Sequence, residues 1–394
     1  MADAQARASG IPALAVSEIA LVNFRSYASA TLKLDRAPVV LAGANGTGKT
    51  NCLEAISLLS PGRGLRGAKL TTLQRKAPLE ANTQPGRVFA DSLWAVAAKV
   101  TRPDGAWEIG TGLISTGQTG TPRRALHLNG APAQAADLAE LLPILWLTPA
   151  MDRLFLDGAS ERRRFLDRLV FALDSGHARR AARYERAMHE RLRLLRDGVR
   201  DVAWLNGLEE TMAQEGSAVS QARLSTIEKL NTELAERGSE GAFPCAHLAL
   251  HDVLGDKAAD GSVLQACFAG SRERDAESAR TNVGPHLADL EVRHTLKRAD
   301  ARDCSTGEQK ALLISIVLAD AWLQKKRRDG IAPVLLLDEI AAHLDSTRRA
   351  ALFEEILALE TQGWLTGTDK SLFAPILPQA QCFSIAGGAF VRHE

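Results

Sequence analysis

Pro38-Val39-Val40-Leu41-Ala42-Gly43-Ala44-Asn45-Gly46-Thr47-Gly48-Lys49-Thr50, followed by Asn51-Cys52-Leu53-Glu54-Ala55-Ile56-Ser57-Leu58-Leu59, is the stretch whose reading decides the fold. Pro38 to Ala42 is a short continuous apolar run, the pattern of a strand buried on both faces of a sheet. From Asn51 to Leu59 the spacing is helical, with Leu53, Ile56 and Leu59 on one face, and Pro61-Gly62 stops it. The eight residues between them fit G-x-x-x-x-G-K-[ST] and sit where that motif belongs, between strand and helix. Its glycines let the backbone N–H groups of Gly43, Ala44, Asn45, Gly46, Thr47 and Gly48 wrap around phosphate oxygens, aided by the positive end of the following helix. In that arrangement Lys49 reaches the β and γ phosphates, and the Thr50 hydroxyl ligates Mg²⁺.

Two downstream stretches complete the chemistry. Val334 to Leu337 is a buried-strand run ending in Asp338 and Glu339. A strand that delivers carboxylates at its C-terminal end places them at the edge of a parallel sheet, beside the phosphates. Asp338 is expected in the Mg²⁺ shell, and Glu339 is expected to polarise the attacking water. The other stretch is Cys304-Ser305-Thr306-Gly307-Glu308-Gln309-Lys310, which opens a long apolar helix. Ser305 reads as an N-cap, with Glu308 three residues on forming a capping box. It could be an ordinary helix start. The sharper expectation is a second phosphate-binding surface, formed by Ser305, Gly307, Glu308 and Gln309 and aimed at a nucleotide on another subunit.

Composition sets the class. With 394 residues and 45% apolar content the chain can fill at least one large core, which excludes disorder. The 48 basic and 47 acidic residues nearly cancel, so any nucleic-acid contact must come from local patches. Aromatic residues make up only 5%, against rows of single-strand stacking platforms. The five cysteines form no C-x-x-C pair, and no apolar run is long enough to span a bilayer, so a reducing, cytoplasmic setting is expected.

Alternation predicts strands over 16–22 and 31–34, and an antiparallel layer over 87–130 closed by Asn129-Gly130, with residues 115–124 as loop. Residues 151–236 read as almost wholly helical. One helix carries an apolar stripe of Tyr184, Met188, Leu192, Leu195 and Val199, and a later one carries Leu205, Leu208 and Met212. Helices of this length make a stubby arm of roughly 30–50 Å. The expected fold class is α/β: a head from residues 1–150 and 281–394, with a mixed sheet and an antiparallel β layer, and an inserted helical arm over 151–280.

The three motifs in this order resemble ABC-type ATPases. Further stretches narrow it: Asn23-Phe24-Arg25-Ser26-Tyr27, Gly62-Arg63-Gly64-Leu65-Arg66, Ser160 to Asp167, Val283-Gly284-Pro285-His286 and Ser305 to Ala311. Together they resemble the RecF family of bacterial DNA replication and repair proteins, over about residues 16–370. The resemblance implies an ATP-dependent homodimer with each nucleotide between the phosphate loop of one subunit and the Ser305 segment of the other. It also implies binding to double-stranded and gapped DNA, work with RecO and RecR to load recombinase, a place in the SOS response, and slow hydrolysis acting as a switch.

Two positions depart from transporter-type ABC ATPases. Leu147 to Asp152 lacks the usual Gln, with Asp152 a partial substitute, and Trp364 to Asp369 lacks the usual His, leaving Thr366 or Thr368 near the γ-phosphate. Asp345 is expected at the subunit interface. An ABC transporter subunit or a non-hydrolysing nucleotide-gated scaffold are the alternatives; weak, DNA-stimulated hydrolysis separates the favoured reading from the second. For DNA, the cluster Arg63, Arg66, Lys69, Arg75 and Lys76 is preferred. The rival is residues 161–200, where twelve Arg face six acids, although helix-spaced Glu and Arg there also suit a solvated face.

Overall fold

The computed structural model describes residues 12–76, 92–115, 121–199, 201–238 and 241–393. The expected strand start at 87–91, half of the 115–124 loop and Arg200 lie outside them. By contact density the chain forms two compact units. One runs to Met151 and resumes at Ala321; the other extends from Asp152 to Asp320.

In the first unit, β1 (Ala15–Phe24) and β2 (Tyr27–Lys33) form a hairpin, and β3 (Val39–Ala42) leads into the turn before α1 (Lys49–Ser57). There follow β4 (Ser92–Arg102), β5 (Gly105–Ile114), β6 (Arg123–Leu128), β7 (Ala131–Pro132), α2 (Ala135–Leu141) and β8 (Ile144–Leu147). The antiparallel layer has the order β2-β1-β4-β5-β6-β7. Asn129 and Gly130 take φ of 49° and 79°, the left-handed pair that a two-residue hairpin turn between β6 and β7 requires.

The second unit contains α3 (Ala159–Leu173), α4 (His177–Arg196) and the 36-residue α5 (Val202–Arg237), which spans about 54 Å. Asp201 caps α5 by accepting from the Trp204 N–H at 3.0 Å. Then come β9 (Ala246–His251), α6 (Gly261–Gly270), α7 (Arg272–Ser278), β10 (Asp289–His294) and β11 (Ala299–Asp300), with the three strands in a small antiparallel sheet. α8 (Thr306–Arg327) starts here. Residues 281–320 cluster with this unit, whereas the sequence reading joins them to the head. The cause is tertiary: β10 pairs with β9 along its whole length, and Arg162 of α3 grips Asp289 through two bonds of 2.8 and 2.7 Å.

After α8 the first unit is completed by β12 (Val334–Leu337), α9 (Ser346–Ala358), β13 (Gly363–Gly367), β14 (Gln381–Ala386) and β15 (Ala389–His393). They form a mixed sheet, β15-β14-β3-β13-β12-β8, with only β15 antiparallel to its neighbour. All four residues of β3 are buried because β13 and β14 flank it. Side chains from both sheets, among them Leu21, Phe24, Leu41, Leu53, Trp94 and Trp364, share one core, so α1 starts on a rigid base.

The stripe expected on α4 is displaced. Its buried face is His177, Tyr184, Ala187, Arg191 and Leu194, while Met188, Leu192 and Leu195 are only partly buried. An apolar-only count misses this face because its centre is an arginine. Arg191, fully buried, donates to Glu209 at 2.8 Å, to Asp275 at 2.7 Å and to the Phe268 carbonyl at 2.7 Å. Burial pushes the Asp275 carboxyl up, but bonds from Arg191, Asn282 and Ser271 outweigh it and hold its pKa below the usual range. A depressed folded-state value means that this contribution is present above the unfolded carboxyl pKa and is lost as pH falls through the folded one. Arg191→Met should cost about 3–5 kcal/mol, because it leaves buried carboxylates short of a partner. Urea denaturation at neutral pH checks this, and a loss under about 1 kcal/mol would contradict it.

Candidate functional site

The phosphate loop lies in the first unit at the C-terminal end of β3. Gly43 and Gly48 have φ of 149° and 114°, and a Cβ on Gly48 would stand 2.8 Å from Ser26 Oγ and 3.0 Å from Tyr27 Oη. Only glycine fits there, because both the backbone angle and the close approach exclude a side chain. The Gly43 N–H donates to the Gly367 carbonyl at 3.1 Å, tying the loop to the end of β13. Lys49 is 4% exposed and its ammonium donates to the Gly43 and Ala44 carbonyls at 2.6 and 2.8 Å. Burial lowers its pKa, opposed by the nearby Glu339 and Asp338. The ammonium is thus held at the mouth of the loop by neutral carbonyls, which a phosphate oxygen can replace.

Asp338 directly follows β12, and Oδ1 of its carboxylate accepts from both the Thr50 and Thr366 hydroxyls at 2.8 Å. Thr366 also accepts from the Glu339 N–H at 2.9 Å. Glu339 takes φ of 53°, a left-handed conformation uncommon outside glycine, asparagine and aspartate. The Thr366 bond therefore fixes a strained residue at the strand end. Glu339's carboxylate makes no hydrogen bond or ion pair among the described residues. Thr368, the other candidate near the γ-phosphate, is exposed.

Ser305 belongs to the second unit. Ser305, Thr306 and Gly307 are exposed at the start of α8, and the Gln309 N–H bonds the Ser305 carbonyl at 2.8 Å. Only half of the capping box forms: Glu308 accepts from both the N–H and the hydroxyl of Ser305 at 3.1 Å. Lys297 and those Ser305 bonds hold the Glu308 pKa well below the usual range. Gln309 is buried, and its amide donates to the Cys304 carbonyl at 2.9 Å and the Arg302 carbonyl at 3.3 Å. It supports the backbone behind Ser305 and does not face outward. Asp152, read as a stand-in for a missing Gln, is ion-paired at 3.0 Å with Lys310, one turn into the same helix.

The family described as RecF/RecN/SMC N terminal domain matches residues 15–373. A DNA replication and repair protein RecF from Agrobacterium fabrum is 46% identical over 95% of this chain and 98% of its own. Its counterpart from Mesorhizobium japonicum is 45% identical over 95% and 96%. The chain belongs to the RecF family. Among solved structures, the recombination mediator protein RecF-ATP of the RecFOR pathway aligns with a TM-score of 0.81 at 22% identity, covering 98% of this chain and 99% of that one. An Smc head domain from Pyrococcus furiosus aligns at 0.53 and 17%, covering 96% of each chain. These structural likenesses establish the fold as that of an ABC-type, SMC-like ATPase head.

Sequence reasoning missed how this RecF-family chain braces its phosphate loop. Tyr27 is buried and donates to the Gly48 carbonyl at 2.9 Å. Arg25 grips the buried Glu54 of α1 through two bonds of 2.8 Å, and Arg66 reaches the same carboxylate at 3.3 Å and Asn51 at 2.9 Å. A detectable signal was Glu54 itself, an acid within the apolar run Leu53 to Ile56 one turn after Thr50.

The two basic clusters of the RecF-family chain differ. Arg63, Lys69 and Lys76 are exposed, Arg75 is half-buried, and Arg66 is partly used by Glu54. Of the arginines between 161 and 200, Arg162, Arg180, Arg183 and Arg191 pair with carboxylates of their own unit, and Arg163 donates to the Ala288 carbonyl. Much of that excess is structural. Asp345 is exposed and caps α9 by accepting from the Arg348 N–H at 2.9 Å.

Proposed function

We propose that the chain is an ATP-gated DNA-binding protein of recombinational repair and replication, closing as a homodimer on gapped or junction duplex when ATP is bound. The observation that carries this reading is the convergence of the Thr50 and Thr366 hydroxyls on Asp338, with the Glu339 N–H held by Thr366, at the strand ends beside the Lys49 loop. The exposed Ser305 segment on the other unit supports it. In functional terms the head is residues 1–150 with 281–394, carrying all three motifs, and residues 151–280 are the arm.

The site chemistry suits Mg-ATP. Thr50 and Asp338 offer two hard oxygens 2.8 Å apart, and among the described residues no group of three or more His, Cys, Asp or Glu could hold a metal by itself. Mg²⁺ fits such a set, since it leaves most of its shell to water and phosphate oxygens. When bound, it neutralises charge developing on the phosphates. Lys49 trades its loop carbonyls for β and γ oxygens. Glu339, fixed by Thr366 and carrying an unengaged carboxylate, orients and deprotonates the attacking water. Ser305 and the N-terminus of α8 from a second copy complete the γ-phosphate shell, so ATP favours the closed dimer and slow, DNA-stimulated hydrolysis removes that differential contact. The pathway name carried by the solved RecF structures supports RecO and RecR as partners. Free cysteines at all five positions, and no helix among the described residues long and apolar enough to cross a membrane, fit work in the cytoplasm.

Gel-shift binding to a gapped duplex tests the reading. Binding should be tightest with ATP, weaker with ADP or without nucleotide, and log K should fall linearly with log salt. Lys49→Met should remove the ATP difference. Equal binding in all three nucleotide states, or full ATP dependence in Lys49→Met, would reject the gate.

A further inference from the structure

The apolar face of α4 is consumed by the second unit's own core: Tyr184 and Ala187 pack with Met212, Leu264, Phe268 and Val283. Its opposite face is exposed and basic. Arg179, Arg186 and Arg193 recur every seven residues, two helical turns, so they lie in one row about 10 Å apart. All three are exposed, and Arg193 keeps 66% of its side chain in solvent. Arg179 and Arg186 have no ion-pair partner among the described residues, and Arg193 has only a loose contact with Glu190 at 3.9 Å. Arg196, three residues further on, extends the row. Against it stand Glu185 and Asp197, both exposed, and Glu190; Arg183, flanking the row, is occupied by Glu215 at 2.9 Å.

We infer that this row on α4 is a second phosphate-tracking surface for duplex DNA, separate from the Arg63 to Lys76 cluster. The inference rests on the reading of the chain as a DNA-binding protein. The face carries no aromatic or large aliphatic side chain to anchor a protein partner; between the arginines stand Ala178, Ala182 and His189. A membrane surface is excluded by the same geometry, since an interfacial helix needs its apolar face free and here it is buried. Guanidinium groups in a straight row, without base-reading companions, fit a backbone that carries one charge every 3.4 Å per strand. From Arg179 to Arg196 the row covers about 26 Å, the length of seven or eight successive phosphates.

The test is the triple variant Arg179→Gln, Arg186→Gln, Arg193→Gln in the full chain, with ATP and a gapped duplex across a salt series. Glutamine keeps helix propensity and the sites are exposed, so folding and ATP-driven dimerisation should match the parent. The slope of log K against log salt should shrink by about 2–3 and affinity should drop about 10- to 100-fold. A parent that fails to bind duplex overturns both this inference and the functional reading. A parent that binds, with the variant's slope and affinity unchanged, overturns only the α4 surface. Weakened binding to polyglutamate with duplex binding intact would reassign the row to an acidic protein.

Discussion

Glu339→Gln lowers steady-state ATP hydrolysis by about 100-fold or more, while ATP-driven association and DNA binding persist, so that the complex outlives the parent's. The magnitude follows from the role: removing a positioned general base typically forfeits 10²–10⁴ in rate. Selectivity follows from the geometry. The Glu339 N–H, not its carboxylate, bonds Thr366, and the bonds from Thr50 and Thr366 to Asp338 do not involve the Glu339 side chain. Gln is isosteric with Glu, so the left-handed turn at φ 53° is unchanged in cost. The nucleotide cradle is therefore intact and only proton acceptance is lost. Phosphate release measured with and without gapped duplex, beside dissociation of the DNA complex after ATP is diluted away, checks both halves. Hydrolysis within tenfold of the parent would move the base elsewhere, and a shortened complex lifetime would separate hydrolysis from release.

What could be read from the chain was whatever is covalently local. The strand, turn and helix over 38–59 announce themselves because every residue that shapes the phosphate loop is a neighbour in sequence, and the same holds for Val334 to Glu339. The Arg25, Glu54 and Arg66 brace was not legible, since its three members are brought together only when the β1–β2 hairpin packs on α1. The face of α4 was misread for the opposite reason. Its pattern is local, but Arg191 is buried through ion pairs with Glu209 and Asp275, far along the chain, so polarity ceased to report exposure. Gln309 shows the same limit at the site: proximity to Ser305 suggested ligand contact, while its amide is turned inward to the carbonyls of its own loop. The segment 281–320 falls with the second unit because a pairing between β10 and β9, separated by two helices, holds it there.

Ser305→Arg abolishes ATP-driven dimerisation and leaves nucleotide binding by the monomer within about twofold. The two effects separate because the residues proposed to hold the triphosphate, Lys49, Thr50 and Asp338, bond only to one another and to their own unit, whereas Ser305 is exposed on the other unit with one side-chain bond, to Glu308. An arginine there places a long side chain where a partner's γ-phosphate must approach the α8 N-terminus, and it removes the small hydroxyl suited to that approach. Two-fold symmetry doubles the penalty, since one substitution per chain alters both composite sites. A loss of about 2–3 kcal/mol at each site weakens the dimer by about 10³- to 10⁴-fold, enough to leave it monomeric at micromolar concentration. Sedimentation with and without ATP, beside a fluorescent-nucleotide titration, reads the two quantities independently. Ser305→Ala should weaken closure less, because the backbone N–H groups of the α8 N-terminus remain. If Ser305→Arg still sediments as an ATP-dependent dimer, the shared pocket is wrong and the gate must be built from other residues. If instead monomer binding is lost as well, Ser305 acts within its own chain.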